Sequence, residues 1–172
     1  MEGTVVEFGC YSGTTSLFIA RLLQYYKDQR EFHVYDSFEG LPPKNAKDQN
    51  AAGVDFKAGE LAVSKREFLQ NFQRAKLPPP FAHKGWFNEL QEKDIPKRIA
   101  FAFLDGDFYD SIYTSLGLVW PHLATDARIL VHDFNRETLP GVERAVSDFC
   151  RAHHLQPKLN IEAHIGIVVP QR

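Results

Sequence analysis

The sequence predicts an α/β fold with a mostly parallel sheet, an antiparallel last strand and helices on both faces. Short apolar runs alternate along the chain with amphipathic segments long enough for the crossover helices that parallel strands require. The runs Thr4–Phe8 and Ile99–Leu104 are apolar almost throughout, as expected of central strands covered on both faces. The last two runs are separated only by a turn around His164, so the final strand is predicted to run antiparallel.

Each element can be placed from its pattern. Strands are predicted at Thr4–Phe8, Phe32–Tyr35, Phe81–His83, Ile99–Leu104 and Ala127–Val131, followed by the closing pair Leu159–Ala163 and Ile165–Val169. Helical spacing of apolar residues predicts helices near residues 17–25, at Glu60–Lys76, near residues 112–123 with Pro121 kinking or ending the helix, and at Val142–Phe149 with Thr138 as its cap. The polar stretch 39–59 is predicted to be a lid, because long loops in compact domains are usually functional or disordered.

Composition limits the classes of protein to consider. The 172 residues are predicted to form a single domain, and 44% hydrophobic with 24% charged residues is ordinary for a globular protein. A net charge of −2 gives no reason to expect nucleic acid or an anionic membrane as partner. No apolar run reaches the ~20 residues of a membrane span, and no signal peptide is visible. Two cysteines suit a reducing compartment, so a cytoplasmic location is predicted.

The stretch VVEFGCYSGTTS, residues 5–16, predicts a ligand site at the end of the first strand. A strand, a glycine-bearing turn and a helix N-terminus follow one another, as in α/β proteins that bind a cofactor there. Gly9 permits a sharp turn, and Thr14, Thr15 and Ser16 are predicted to cap the helix. The free N–H groups of such a helix suit an anionic group.

The glycine spacing disfavours a dinucleotide. That fingerprint is G-x-G-x-x-G, whereas this turn reads G-x-x-x-G with Tyr11 where a glycine would admit a pyrophosphate. Glu7 before the first glycine would repel a diphosphate but can bind an amino or hydroxyl group. The pattern E-x-G-x-x-x-G resembles the first motif of class I S-adenosylmethionine (SAM) methyltransferases. An α/β turn without a cofactor, and an NAD-type oxidoreductase, remain as alternatives.

Acids stand at the ends of four predicted strands. They are Glu7, Asp36, Asp105 and Asp133. Because the carboxyl ends of parallel strands in an open sheet face one crevice, these side chains are predicted to share a site.

Longer motifs resemble the macrocin O-methyltransferase family of class I SAM-dependent enzymes over nearly the whole chain. They are DSFEGLP at residues 36–42, GWF at 85–87, LDGDFYDS at 104–111 and VHDF at 131–134. The resemblance implies a Rossmann-like methyltransferase fold and transfer of a methyl group from SAM to a hydroxyl of a sugar or natural product. It also implies a divalent metal, Mg²⁺ or alternatively Mn²⁺.

The resemblance also implies roles for individual residues. The amino acid end of SAM would lie against Gly9 and its neighbours, with Glu7 nearby, and Asp36 would accept the ribose hydroxyls. The adenine would lie between residues 37–38 and residues 85–87, although Trp86 and Phe87 could instead be core residues. The implied cofactor residues are Glu7, Gly9, Cys10, Tyr11, Ser12, Gly13, Thr14, Thr15, Asp36, Ser37, Phe38, Gly85, Trp86, Phe87 and Asp105.

The implied metal ligands are Asp105, His132 and Asp133, with Asp105 and His132 as the implied catalytic residues. Oxygen ligands suit Mg²⁺, and Asp105 could also accept the hydroxyl proton. The family usually has an aspartate at the position of His132, so this histidine could be a ligand, a base or structural. Asp107 is predicted to support these residues or to cap the next helix.

The N-terminus also departs from the family, whose members carry a substantial region before the first motif. This chain begins almost at the first strand, as a short natural version or a truncated one. In related enzymes that region covers the SAM site and joins subunits, which makes a homo-oligomer one expectation. A SAM-binding relative without catalytic activity is therefore the second hypothesis.

Overall fold

The computed structural model describes residues 2–50, 52–53, 55–155, 158–160 and 164–168. Its strands are β1 (Thr4–Phe8), β2 (Phe32–Asp36), β3 (Phe81–Lys84), β4 (Ile99–Leu104), β5 (Leu123–Val131), β6 (Lys158–Asn160) and β7 (Ile165–Val168). Its α-helices are α1 (Thr14–Tyr25), α2 (Lys65–Ala75), α3 (Tyr109–Val119) and α4 (Pro140–Ala152).

The strands form one mixed sheet in the order β3-β2-β1-β4-β5-β7-β6. The first five pair in parallel, and β7 runs antiparallel to both β5 and β6. This confirms the predicted α/β fold and its antiparallel last strand. The strand order reverses around β1, which lies between β2 and β4, so a crevice is expected at the carboxyl ends of β1 and β4.

The strand predictions are confirmed closely from β1 to β4 and less well towards the end of the chain. β1 and β4 have the predicted bounds, whereas β5 begins earlier, at Leu123. The helix before β5 ends at Val119, and Pro121 lies in the short 3₁₀ turn that follows. Of the predicted closing pair, residues 161–163 and 169 lie outside the described residues.

The predicted capping of α1 is wrong. The residue before α1 is Gly13 in the left-handed conformation, with no side-chain cap, and the Ser16 hydroxyl instead contacts Glu7. The helix packs through Ile19 and Ala20, while Phe18 and its apolar neighbours at helical spacing are exposed.

Two other helix starts differ from prediction. α2 begins at Lys65 rather than Glu60, because the Ser64 hydroxyl accepts a hydrogen bond from the Glu67 amide at 3.2 Å and caps the helix. The predicted Thr138 cap of α4 is wrong, since the residue before the helix is Leu139. The buried Thr138 hydroxyl has no hydrogen-bond partner among the described residues.

The two faces of the sheet carry different helices. One face packs against α1 and α2 through Ile19, Phe68 and Phe72. The other packs against α3 and α4 through Ile112 and Val146, and it forms the larger cluster. Both sides of the central strands are therefore buried, as their continuous apolar sequence predicted. Among the described helices, none combines the length and apolar character that crossing a membrane would require.

Gly141 in α4 permits a close approach that an alanine would block. A Cβ at this position would lie 1.8 Å from the Asp48 carboxylate and 2.9 Å from the Tyr109 amide. We expect Gly141→Ala to lower the free energy of unfolding by about 2 to 4 kcal/mol, because overpacking would also displace a hydrogen-bonded buried carboxylate. Urea denaturation measures this change.

Gly117→Ala is the matched control, since Gly117 lies in α3 and its Cβ would meet nothing within 4 Å. It should raise the free energy of unfolding by roughly 0.5 to 1 kcal/mol, as expected for glycine replaced by alanine in a helix. Equal effects of the two substitutions would contradict the close contact at Gly141.

Candidate functional site

A cavity of about 700 Å³ opens at the carboxyl ends of the parallel strands. The segments that follow β1, β2, β3, β4 and β5 all contribute to its lining. Ten of the predicted site residues line it: Gly9, Cys10, Tyr11, Asp36, Ser37, Trp86, Phe87, Asp105, His132 and Asp133. The acids predicted at strand ends thus converge, with the exception of Glu7.

Seven predicted site residues are not part of the cavity lining in the described structure. They are Glu7, Ser12, Gly13, Thr14, Thr15, Phe38 and Gly85. Several of them support the lining from behind. Phe38 packs on Phe68, with ring centroids 5.8 Å apart, and the Gly85 amide donates a 3.0 Å hydrogen bond to the Asp36 carbonyl.

Gly9 brings two segments of the cavity together. Its φ is +85°, and a Cβ here would lie 2.0 Å from the Asp105 carbonyl oxygen. Tyr11, two residues later, is also left-handed, at φ +47°. Only glycine tolerates both the conformation and the contact at position 9, so the turn after β1 lies directly against the segment after β4.

Asp36 anchors the turn after β1. One carboxylate oxygen accepts the amides of Cys10 at 2.8 Å and Tyr11 at 3.3 Å, and the other accepts the amide of Phe38 at 2.7 Å. Each oxygen of a carboxylate has two lone-pair sites, so capacity for further donors remains.

Cys10 is in the same turn, and burial raises the pKa of its thiol. A protonated thiol is a poor nucleophile, so Cys10 is not a candidate nucleophile.

Glu7 lies beneath the turn, fully buried. It accepts a hydrogen bond from Ser16 through Oε2, and Oε1 has no hydrogen-bond partner among the described residues. Burial, with smaller contributions from the nearby charges of Asp105 and Asp36, raises its pKa to about 8. Glu7 is therefore mainly protonated at neutral pH.

Asp105, His132 and Asp133 form a cluster at the ends of β4 and β5. The His132 Nδ1 lies 2.9 Å from Asp105 Oδ1 and 3.3 Å from Asp133 Oδ2. The other Asp133 oxygen accepts a hydrogen bond from Arg136 at 2.5 Å. One potential ligand atom from each of the three residues lies within 4.8 Å of the others.

The charges of this cluster are strongly coupled. Hydrogen bonds to Asp105 and then Asp133 raise the pKa of His132 to about 10. Burial acts to raise the pKa of Asp133, but hydrogen bonds from His132 and Arg136 outweigh it and lower that pKa. An imidazolium therefore lies between two carboxylates at neutral pH.

The ligand atoms of the cluster fit a divalent cation. Two carboxylates suit Mg²⁺ or Mn²⁺, and the imidazole shifts the preference towards transition metals such as Mn²⁺. Binding through Nδ1 requires that His132 lose its proton.

Asp107 lines the cavity as well; of its two predicted roles, the cap of α3 is wrong, and support of the cluster residues stays a prediction. Burial, followed by the charges of Asp105 and Asp133, raises its pKa to about 7. The residue before α3 is Phe108, which makes no side-chain cap. The Asp48 carboxylate accepts the Tyr109 amide at 2.7 Å instead.

The segment 39–59, predicted as a lid, contributes Leu41, Pro42, Pro43 and Phe56 to the cavity wall. It is anchored at several points. Asp48, 3% exposed, binds α3, Lys47 pairs with Asp148 at 3.0 Å, and the Asn50 side-chain Nδ2 donates to the Thr138 carbonyl at 3.0 Å.

Sequence reasoning missed several other lining residues, including Asp48, Glu89, Ser111, Thr114 and Arg136. Residues 111 and 114 lie in α3 at the spacing of one turn, which could have placed them beside Asp107. For Asp48 and Arg136 the sequence carries no comparable signal.

A family model described as macrocin-O-methyltransferase (TylF) matches residues 1–168. A relative from Streptomyces olivaceus, 8-demethyl-8-(2,3-dimethoxy-alpha-L-rhamnosyl)-tetracenomycin-C 4'-O-methyltransferase, is 31% identical over 87% of this chain and 58% of its own length. Demethyldecarbamoylnovobiocin O-methyltransferase from Streptomyces niveus is 27% identical over 78% of this chain and 53% of its own. The chain thus spans little more than half the length of these curated relatives.

Solved structures with the same fold include the O-methyltransferase NovP. It superposes with a TM-score of 0.83 at 21% identity, over 99% of this chain and 73% of that one. The calicheamicin methyltransferase CalS11 superposes with a TM-score of 0.80 at 20% identity, over 98% of this chain and 72% of that one. At these identities the likeness confirms the Rossmann-like methyltransferase fold.

The buried carboxyl of Glu7 predicts a pH dependence of stability. The folded chain keeps a proton that the unfolded chain loses above pH 4.5, so the contribution of Glu7 to stability falls as pH rises from 4.5 to about 8. The slope approaches ~1.4 kcal/mol per pH unit. We expect Glu7→Gln to remove this loss. The free energy of unfolding of the variant, measured relative to that of the parent chain by chemical denaturation, should therefore increase from pH 5 to pH 8.

Glu92→Gln, at an exposed glutamate, is the control and should follow the parent chain at both pH values. Parallel pH curves for Glu7→Gln and the parent chain would show that Glu7 is ionised in the folded state.

Proposed function

We propose a function from one premise: the chain belongs to the macrocin-O-methyltransferase family. We infer that it transfers a methyl group from SAM to a hydroxyl of a small-molecule acceptor, a sugar unit of a natural product. We further infer that a divalent cation, Mg²⁺ or Mn²⁺, assists at Asp105, His132 and Asp133.

One observation carries the proposal: the glycine turn and the carboxylate–imidazole cluster meet in one cavity. The contact between Gly9 and the Asp105 carbonyl places the turn after β1 against the residue that begins the cluster. A methyl donor held by that turn and a hydroxyl held by the cluster would therefore be neighbours. Such proximity supplies much of the rate gain in a two-substrate reaction.

The residues around the turn suit SAM, which supplies the electrophilic methyl group. Asp36 has spare acceptor capacity for the ribose hydroxyls. Trp86 and Phe87 offer flat apolar surfaces for the adenine on the other side of the cavity. The Glu7 Oε1 beneath the turn, which has no hydrogen-bond partner among the described residues, is a nearby polar atom, although Glu7 does not line the cavity.

The cluster suits the activation of a hydroxyl. A divalent cation held there would lower the pKa of the acceptor hydroxyl and orient its oxygen. The proton leaves the hydroxyl as the oxygen attacks the methyl group, and Asp105, whose side chain lies at the cavity wall, is positioned to accept it. Arg136 holds Asp133 in place through its 2.5 Å contact.

The acceptor class rests on relatives and on the wall of the cavity. The Streptomyces olivaceus relative is named for methylation of a rhamnosyl unit on tetracenomycin C, and CalS11 for TDP-rhamnose. Leu41, Pro42 and Phe56 give the cavity an apolar side, whereas Ser111 and Thr114 add hydroxyl groups. This combination suits a sugar carried by a less polar body.

A second candidate is a SAM-binding protein without catalytic activity. The observation that favours it is the position of His132, whose imidazolium already balances Asp105 and Asp133. The His132 imidazolium could take the place of the metal ion, and no group would then remain to activate a hydroxyl.

Substitutions at Asp36 and at Asp105 should distinguish the binding of SAM from the binding of the metal. We expect Asp36→Ala to weaken binding of SAM about 10- to 100-fold, because it removes a charged acceptor and the anchor of the turn. Asp105→Asn should leave SAM binding within about threefold but weaken Mn²⁺ binding by about 10-fold or more, because a charged ligand is lost. Calorimetric titration of the purified chain with SAM and with MnCl₂ measures both.

Asp126→Asn, at an exposed aspartate on β5, is the control and should change neither affinity. A screen of rhamnosides and other sugar hydroxyl acceptors for release of S-adenosylhomocysteine follows. SAM binding without a Mn²⁺ response or turnover would favour the second candidate, and absence of SAM binding would overturn the proposal for this chain.

A further inference from the structure

His33 on β2 and His83 on β3 are diagonal neighbours on one face of the sheet, at its β3 edge. The His33 Nδ1 and the His83 Nε2 are 3.0 Å apart. The ring planes differ by only 9°, and the ring centroids are 5.2 Å apart. Two imidazoles with nitrogens this close and centroids this far apart lie edge to edge, so they are joined by an N–H···N hydrogen bond rather than stacked face to face.

The neighbour of His33 decides which nitrogen carries the proton. Its second nitrogen, Nε2, lies 3.4 Å from the Glu31 carboxylate, which can only accept. His33 Nε2–H therefore points to Glu31, and its Nδ1 is left as an acceptor. His83 donates its Nε2–H to that Nδ1, and both rings are neutral in this arrangement.

The hydrogen bond of the pair survives one additional proton but not two. With both rings protonated, N–H would face N–H and like charges would lie side by side. The charged groups around the pair are Glu31, the residue before β2, Lys65 on α2, whose Nζ donates to the Ala82 carbonyl at 2.7 Å, and Asp94 on the turn before β4. Burial, then His33 and Lys65, lower the pKa of His83, against a smaller opposite effect of Asp94.

β3 is the strand that leads into one wall of the cavity. Gly85 follows it directly, and Trp86 and Phe87 come next. Aromatic rings connect the pair with this wall: the rings of His83 and Tyr35 stack at 4.5 Å, those of Tyr35 and Phe8 at 4.5 Å, and Phe8 meets Phe87 edge-on at 5.2 Å. A shift of β3 would therefore move the wall.

We propose that the His33–His83 pair is an acid-sensitive clasp between β2 and β3 that sets the position of the Trp86–Phe87 wall. The neutral pair holds the edge strand by a side-chain hydrogen bond in addition to the backbone ladder. Protonation of both rings breaks that bond, loosens β3 and weakens the binding of a ligand against the wall. The last step alone rests on the proposed function, because it takes the ligand to be SAM or its product S-adenosylhomocysteine.

His83→Gln tests the clasp, because an amide can donate to His33 or accept from it and cannot become charged. Affinity for S-adenosylhomocysteine is measured by calorimetry at pH 7.5 and at pH 4.5, well below the ordinary range of an imidazole, because the second proton is opposed by the first. The parent chain and His83→Gln should bind equally at pH 7.5, and the parent chain should lose about fivefold more affinity than the variant at pH 4.5. His122→Gln, the same substitution outside the pair, should follow the parent chain. An equal loss in the parent chain and in His83→Gln would overturn the proposal.

Hydrogen exchange provides a test that does not depend on cofactor binding. Protection factors of the amides of residues 81–85 are measured by NMR at both pH values and compared with those of β1. They should fall at pH 4.5 in the parent chain by about fivefold more than in His83→Gln. If S-adenosylhomocysteine does not bind, the proposed function fails while this comparison still decides the clasp. Unchanged protection of β3 in the parent chain would overturn it.

Discussion

The contact between Gly9 and the Asp105 carbonyl is the constraint on which the site depends. β1 and β4 are neighbours in the sheet, and the chain leaves both at the same edge. With any side chain at position 9, the turn after β1 would have to move away from Asp105, since a Cβ would overlap that oxygen at 2.0 Å. The glycine thus brings the predicted cofactor turn and the predicted metal cluster into one cavity, where two separate sites would otherwise result.

Burial assigns different tasks to acids that look alike in the sequence. Asp36 stands at the edge of the cavity, where its carboxylate anchors three backbone amides. Glu7, in the equivalent place on the neighbouring strand, is buried against Ser16, and its pKa is raised to about 8, so it is mainly neutral. Asp48, far away in sequence, takes over the capping of α3. Position at a strand end therefore locates an acid but does not determine its charge or its partner.

Much of the fold follows from the sequence because it depends on local pattern. The bounds of β1 and β4 come from continuous apolar runs, and the antiparallel β7 from the absence of room for a crossover. Helix starts were less predictable, because capping depends on which side chain reaches the first amides. Ser16 was predicted as a cap but binds Glu7, and the residue before α4 is Leu139 rather than Thr138. In the site, three of the four predicted acids converge, whereas Asp48 and Arg136 are reached only through tertiary contacts that no spacing encodes.

The histidine of the cluster changes the electrostatics that a metal would encounter. In this structure the acid pair is already occupied, because the His132 imidazolium lies 2.9 Å from Asp105 and 3.3 Å from Asp133. A cation that binds there would compete with the proton on Nδ1. The observed free energy of metal binding would therefore be the intrinsic binding free energy weakened by the free energy of removing that proton. An aspartate at position 132 would carry no such proton and would add a charge instead. A histidine at position 132 would therefore couple metal binding to pH and favour metals that bind imidazole well.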